Sequence, residues 1–161
     1  MLCSFLRRRD PRFDGNGYHI FDSFEGLSEP TTDDDIPDGW INAQQLRGMT
    51  KAGYFAAPLA AVKPRLREFP EIAYHPGWIP ASFAGLAPSS YRFVHVDVDL
   101  YDPTLDALAY FYPRLSPGGL IVSDDYSWPG ARTAINEFCG ENRIEPQLTD
   151  FGQAVIRKCP A

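Results

Sequence analysis

Long apolar runs are missing from this chain of 161 residues. No stretch approaches the roughly 20 consecutive apolar residues that a membrane-spanning helix needs. The opening "MLCSFLRRRD" has too short an apolar run, with its charges on the wrong side, for a secretory leader. Cysteine is scarce. Cys3, Cys139 and Cys159 are odd in number and far apart, which leaves neither a zinc pattern nor a disulfide framework and points to reduced thiols in a cytoplasmic protein. Positive charge is in deficit: Lys and Arg number 15 against 21 Asp and Glu, for a net charge of −6. That removes the electrostatic footing for a nucleic-acid partner. Internal repeats are absent, and no low-complexity segment is longer than "TTDDD". What is present is an ordinary globular composition, long enough for one domain over residues 1–161 with a single sizeable core.

Punctuation by Pro, Gly and Asp divides the chain. Residues 17–21, "GYHIF", read as a short strand, and residues 27–39, rich in Pro, Asp and Thr, read as a loop. Between residues 52 and 69, Phe55, Leu59, Val62 and Leu66 recur at helical spacing, with Pro58 and Pro64 shortening or breaking that helix. "EIAYH" is a strand candidate, and "RFVHVDVDL" has the mostly apolar character of a central parallel strand. A helix follows, with Asp102 as its cap, Pro103 in its first turn and Pro117-Gly118-Gly119 closing the connection. "LIVSDDY" is a buried strand, "PGARTAINEFCGENR" a second helix, and "QLTDFGQAVIRK" a pair of strands turning near Asp150-Phe151-Gly152. Alternating strands and helices ending in a hairpin predict an α/β domain whose sheet is mostly parallel, with an antiparallel end.

The chemistry is concentrated where strands stop. Asp97 and Asp99 end one strand, and Asp124 and Asp125 end the next. A single crossover helix joins the two, which brings these ends together. In open α/β sheets ligands bind beyond the carboxyl ends of the strands. Four carboxylates in one place repel one another unless a cation neutralises them. Oxygen donors without a Cys or His cluster favour Mg²⁺, or Mn²⁺ or Ca²⁺, over zinc. Each Asp taken singly also fits a turn or a helix cap. Asp22, ending "YHIFD", fits the acidic residue that holds a ribose in doubly wound sheets, or equally a turn before Ser23.

"FDSFEGL", "HVDVDLYDPT", "FYPRLSPGG" and "IVSDDY" followed by "GARTAINEF" occur in an order that resembles the macrocin O-methyltransferase family, over about residues 18–158. The resemblance implies a Rossmann-like class I methyltransferase, a three-layer sandwich acting with S-adenosylmethionine and Mg²⁺ on a hydroxyl of a sugar or glycosylated natural product. It implies Asp97, Asp124 and Asp125 as metal ligands, Asp99 as general base, and Asp22 with Ser23 at the cofactor. A homo-oligomer is admitted; a membrane or nucleic-acid partner is not expected. Two other readings stay open: a metal-dependent nucleotide-sugar glycosyltransferase, for which Asp-x-Asp is also apt, and a non-catalytic remnant of the fold.

The family's fold begins with a strand and a glycine-rich turn against the cofactor, and nothing before "FDSFEG" supplies them. "MLCSFL" reads as the tail of a first helix. The expectation is an N-terminally truncated sheet with a gap at its middle and weakened S-adenosylmethionine binding. Several other residues carry expectations. His95 shares the side of Asp97 and reads as a satisfied core histidine, with a role behind the metal ligands or toward the substrate as the alternative. Trp78 and Phe83 read as core or adenine-flanking aromatics, and Tyr101, Tyr126 and Trp128 as surroundings of the metal site. Arg132 reads as a surface charge. Residues 32–35, "TDDD", read as a solvated loop, with a helix cap or lid as alternatives.

Overall fold

The structure, a computed structural model, describes residues 2–87 and 89–159. In chain order the elements are α1 (Leu2–Arg9), β1 (His19–Asp22), α2 (Ala43–Met49), α3 (Leu59–Val62), β2 (Ala73–Pro76), β3 (Tyr91–Val96), α4 (Tyr101–Phe111), β4 (Leu115–Ser123), α5 (Pro129–Asn142), β5 (Gln147–Leu148) and β6 (Ala154–Arg157). Short 3₁₀ turns interrupt the connections. The fold is α/β, as its sequence pattern predicts. The ladders make two sheets, β1-β2 and β3-β4-β6-β5. They are parallel in β1/β2 and β3/β4 and antiparallel where β6 meets β4 and β5.

The chain forms two compact units. One comprises residues up to Gly26 together with Phe55–Ala84. Its core is Cys3, Phe69 and Ile72, with Phe13, Tyr18, Ile20, Leu66 and Tyr74 packed around them. In α1, Arg7, Arg8 and Arg9 occupy the last turn, where cations suit the helix dipole. The Arg7 guanidinium donates to the carbonyls of Phe13 and Glu68 and lies over the Phe69 ring. Gly15, at φ +105°, has no room for a side chain: a Cβ there would stand 2.8 Å from the Ile72 amide nitrogen.

The other unit comprises Leu27–Tyr54 and the residues from Gly85 on. Here α4 packs against α5, burying Leu108, Ala131, Ala134 and Ile135 completely, with Ile121 and Ile156 equally buried on the sheet. Each fully buried Leu or Ile contributes about 1.5–3 kcal/mol relative to exposure. The register runs Phe93↔Leu120 to Val96↔Ser123, after a slip that separates it from Tyr91↔Leu115. Pro117-Gly118-Gly119 therefore lies inside β4 as an irregularity rather than ending the connection before it.

Other local expectations are corrected. The helix expected from residue 52 begins only at Leu59, lasts to Val62 and tightens to a 3₁₀ turn over Lys63–Leu66. Pro58 sits at its N-cap and Pro64 is the second residue of the tighter turn, where a missing N–H is tolerated. Phe55 is left exposed at φ +64°. Leu100, not Asp102, is the N-cap of α4, and Asp102 lies in the first turn. None of the described helices is long and apolar enough to cross a membrane.

Candidate functional site

Alternation along β3 buries Val94 and Val96 and turns His95 outward. Val96 lies opposite Ser123, so Asp97 and Asp124 are the next residues beyond a matched pair of parallel strand ends. Beyond them the two chains diverge. The Leu100 N–H donates back to the Val98 carbonyl at 2.6 Å, closing a three-residue turn centred on Asp99 at φ +60°. A non-glycine residue is seldom held there, and such turns are strained. The restraint is Asp125, which is 4% exposed. Its Oδ2 accepts the Val98 N–H at 3.0 Å and the Asp99 N–H at 3.1 Å.

One consequence is electrostatic. Burial, then repulsion from Asp97, raises Asp99 from 3.8 to about 6. Burial, then repulsion from Asp99, raises Asp125 to about 8, although the Asp99 amide pulls it down. The buried pair therefore holds protons well above the ordinary carboxylate range.

Carboxylate oxygens of Asp97, Asp99 and Asp125 lie within 4.8 Å of one another. Asp124 takes a different direction. Its ligand atom groups with those of His95 and Asp97, again within 4.8 Å. The four predicted carboxylates thus form two sets sharing Asp97. Oδ1 of Asp124 is shut off from solvent and accepts no hydrogen bond, although Nε2 of His95 lies 3.3 Å away. A shielded anionic oxygen without a donor is costly, and hard oxygen donors with one such orphan are a set that a divalent cation fits.

The loop before α2 is built into this region. Thr31 and Asp34 form a capping box for a 3₁₀ turn over Thr32–Asp34. Asp34 is 5% exposed, so the solvated-loop expectation fails at this residue. Its Oδ2 accepts the Thr31 N–H at 3.0 Å, and its Oδ1 accepts the Tyr101 N–H, a first-turn amide of α4, at 2.7 Å. It thereby does for α4 what the Leu100 side chain cannot. Gly130, at the start of α5, makes room for this: a Cβ there would lie 2.1 Å from Asp34 Oδ1. Trp40 donates from Nε1 to the Ser127 carbonyl at 2.9 Å, and Ile36 and Leu46 pack with Trp128 and Ala131. Arg132 lies over the Trp40 and Tyr126 rings and donates to the Tyr126 carbonyl, more than the surface charge expected. Tyr101 binds Glu137 through its hydroxyl, which pushes its own titration up to about 12. Sequence reasoning missed Asp34 as a buried anchor; the Thr-x-x-Asp spacing of the capping box was the available signal.

Asp22 and Ser23 lie in the other compact unit, at the carboxyl end of β1. Asp22 is exposed, and its Oδ1 accepts the Phe24 N–H at 2.6 Å. Ser23 Oγ donates to the Gly26 carbonyl and accepts the Glu25 N–H, each at 3.1 Å. Both side chains take part in the turn that follows β1. Trp78 is 41% exposed and Phe83 is core.

A search among proteins of known activity finds three similar chains. The chain is 30% identical over 136 residues to the 8-demethyl-8-(2,3-dimethoxy-alpha-L-rhamnosyl)-tetracenomycin-C 4'-O-methyltransferase of Streptomyces olivaceus, covering 82% of this chain and 50% of that one. It is 29% identical over the same length to the mycinamicin III 3''-O-methyltransferase of Micromonospora griseorubida, covering 82% and 52%. With the demethyldecarbamoylnovobiocin O-methyltransferase of Streptomyces niveus the identity is 25%, covering 92% and 56%. The chain thus spans about half the length of the curated relatives it matches. Among solved structures, the O-methyltransferase NovP superposes with a TM-score of 0.70 at 23% identity, over 98% of this chain and 65% of that one. The calicheamicin methyltransferase CalS11 gives 0.73 at 19%, over 97% and 65%, a likeness of fold. A sequence profile of the macrocin O-methyltransferases matches residues 12–156, nearly the whole chain, and by that match together with the 30% identity the protein belongs to the macrocin O-methyltransferase family.

Proposed function

We propose that the protein takes part in metal-assisted transfer of a methyl group from S-adenosylmethionine to a hydroxyl of a sugar or related natural product. The observation that carries this reading is the convergence of Asp97, Asp99 and Asp125 at the ends of two adjacent parallel strands. The named activities of the relatives, all O-methyltransferases, agree with it.

When bound, S-adenosylmethionine supplies an electrophilic methyl group, and a divalent cation lowers the pKa of a hydroxyl. Asp97, Asp124 and Asp125 are the side chains that would hold the cation, and Asp22 with Ser23 would face the cofactor's ribose. Asp99 takes the proton that the acceptor hydroxyl loses as its oxygen gains the methyl. In the metal-free protein, burial and the neighbouring Asp97 raise the pKa of Asp99 to about 6, and a cation beside it would favour its ionised form, the form that accepts the proton. Asp125 keeps the carboxylate in place by gripping the Val98 and Asp99 amides, and Asp34 fixes the start of α4 just beyond. Positioning of this kind supplies much of the rate gain in a transfer with few chemical steps.

The test is calorimetry with S-adenosylhomocysteine and with Mn²⁺ or Mg²⁺, followed by a radiolabelled methyl-transfer assay on rhamnosylated acceptors. Metal-dependent transfer to a sugar oxygen is the expected result. Binding of uridine diphosphate instead of S-adenosylhomocysteine would overturn it.

A further inference from the structure

We propose that Nε2 of His95 is a ligand in the metal site, and that the site therefore selects a first-row transition ion over Mg²⁺. This rests on the reading of the carboxylates as a cation site. On the sequence, His95 reads as core; instead its side chain is 39% exposed at the end of β3. The pleat places it on the face of Asp97, and the register His95↔Val122, Val96↔Ser123 brings Asp124 beside it. The ligand atoms of His95, Asp97 and Asp124 gather within 4.8 Å.

A plain ion pair between His95 and Asp124 is the simpler account, and one detail argues against it. Nε2 and Oδ1 are 3.3 Å apart, yet Oδ1 accepts no hydrogen bond and is shielded from water. The two atoms approach each other without the alignment of a donor and an acceptor. Two lone-pair atoms so placed, with Asp97 in reach of both, suit a cation shared by all three. The composition of the set then decides which cation. Carboxylates with water serve Mg²⁺, which sheds its water reluctantly, whereas imidazole nitrogen favours Fe²⁺, Co²⁺, Ni²⁺ and Zn²⁺, with Mn²⁺ between the two groups. Neutral imidazole also leaves the two carboxylates of this set to balance a divalent charge.

Pulsed electron paramagnetic resonance of the Mn²⁺-loaded chain tests this, in natural-abundance protein and in protein carrying ¹⁵N-histidine. Nitrogen modulation that changes isotope with the label, and disappears in His95→Ala, is expected. Calorimetry adds a second readout: Co²⁺ binding weakens about 10–100-fold in His95→Ala, as for other residues that tune a metal site, while Mg²⁺ binding changes far less. His95→Gln, which keeps a polar side chain on the strand, repeats both measurements should the alanine variant not fold. Bound Mn²⁺ without nitrogen modulation, or modulation that survives loss of His95, overturns the proposal and leaves the carboxylate site standing. Failure of the native chain to bind Mn²⁺, Co²⁺ or Mg²⁺ overturns both.

Discussion

Strands in each of the two compact units run out in aspartate, and these ends have opposite characters. Asp22, closing β1, is exposed and spends an oxygen on the Phe24 amide of its own turn. Beyond β3 and β4, Asp99 and Asp125 are drawn under neighbouring chain, next to Asp97, and their carboxyls hold protons far above the usual range. The residue type is the same, although Asp22 closes its strand whereas Asp99 and Asp125 lie just beyond theirs. Burial and the number of like-charged neighbours make the difference. An acid at a strand end becomes reactive only where the fold prevents water from relieving it.

The largest expected effect separates the two ends by turnover. Asp99→Asn keeps the shape of the turn but removes the proton acceptor, and methyl transfer falls by about 10²–10⁴-fold. A fall below about tenfold would assign Asp99 a structural part only. Metal affinity comes next. Asp97 belongs to both ligand sets, so Asp97→Ala weakens Mn²⁺ binding by at least about 10–100-fold, whereas Asp22→Ala leaves it unchanged in the same titration. Equal losses in the two variants would abolish the distinction.

Stability gives the third contrast. Asp34→Ala strips the Tyr101 and Thr31 amides of their acceptor and costs about 1–3 kcal/mol in urea unfolding. The last concerns pH. The Asp125 carboxyl titrates near 3.8 when unfolded and at about 8 when folded. Between those values the folded state binds more protons, so the stability of the metal-free protein falls as pH rises through the window and levels off above it. The slope is at most about 1.4 kcal/mol per pH unit for one proton. Asp125→Asn keeps an oxygen for the Val98 and Asp99 amides and flattens the profile. Thermal melts from pH 4 to 8 check this, and a stability that rises with pH in that range contradicts it.

Much of the arrangement was legible because local patterns carried it. The alternation in "RFVHVDVDL", the crossover helix after it and the doubled acid of "SDDY" place Asp97 and Asp124 side by side without any distant information. Three features escaped. Asp34 reads as solvated because its partner, the Tyr101 amide, is 67 residues away. The helix expected from residue 52 had the right apolar spacing, but Pro58 and Pro64 left room for only Leu59–Val62. His95 reads as core because a strand of this composition is normally flanked on both edges, and among the described residues β3 pairs only with β4.

Gly130 and Asp34 are far apart in the chain, yet the packing of each depends on the other. Any side chain at residue 130 would overlap the Asp34 carboxylate. Removing that carboxylate would leave the first turn of α4 without its acceptor. A Cβ at residue 130 would also stand 3.0 Å from the Tyr101 amide nitrogen, so the glycine answers to the backbone of α4 as well as to the aspartate.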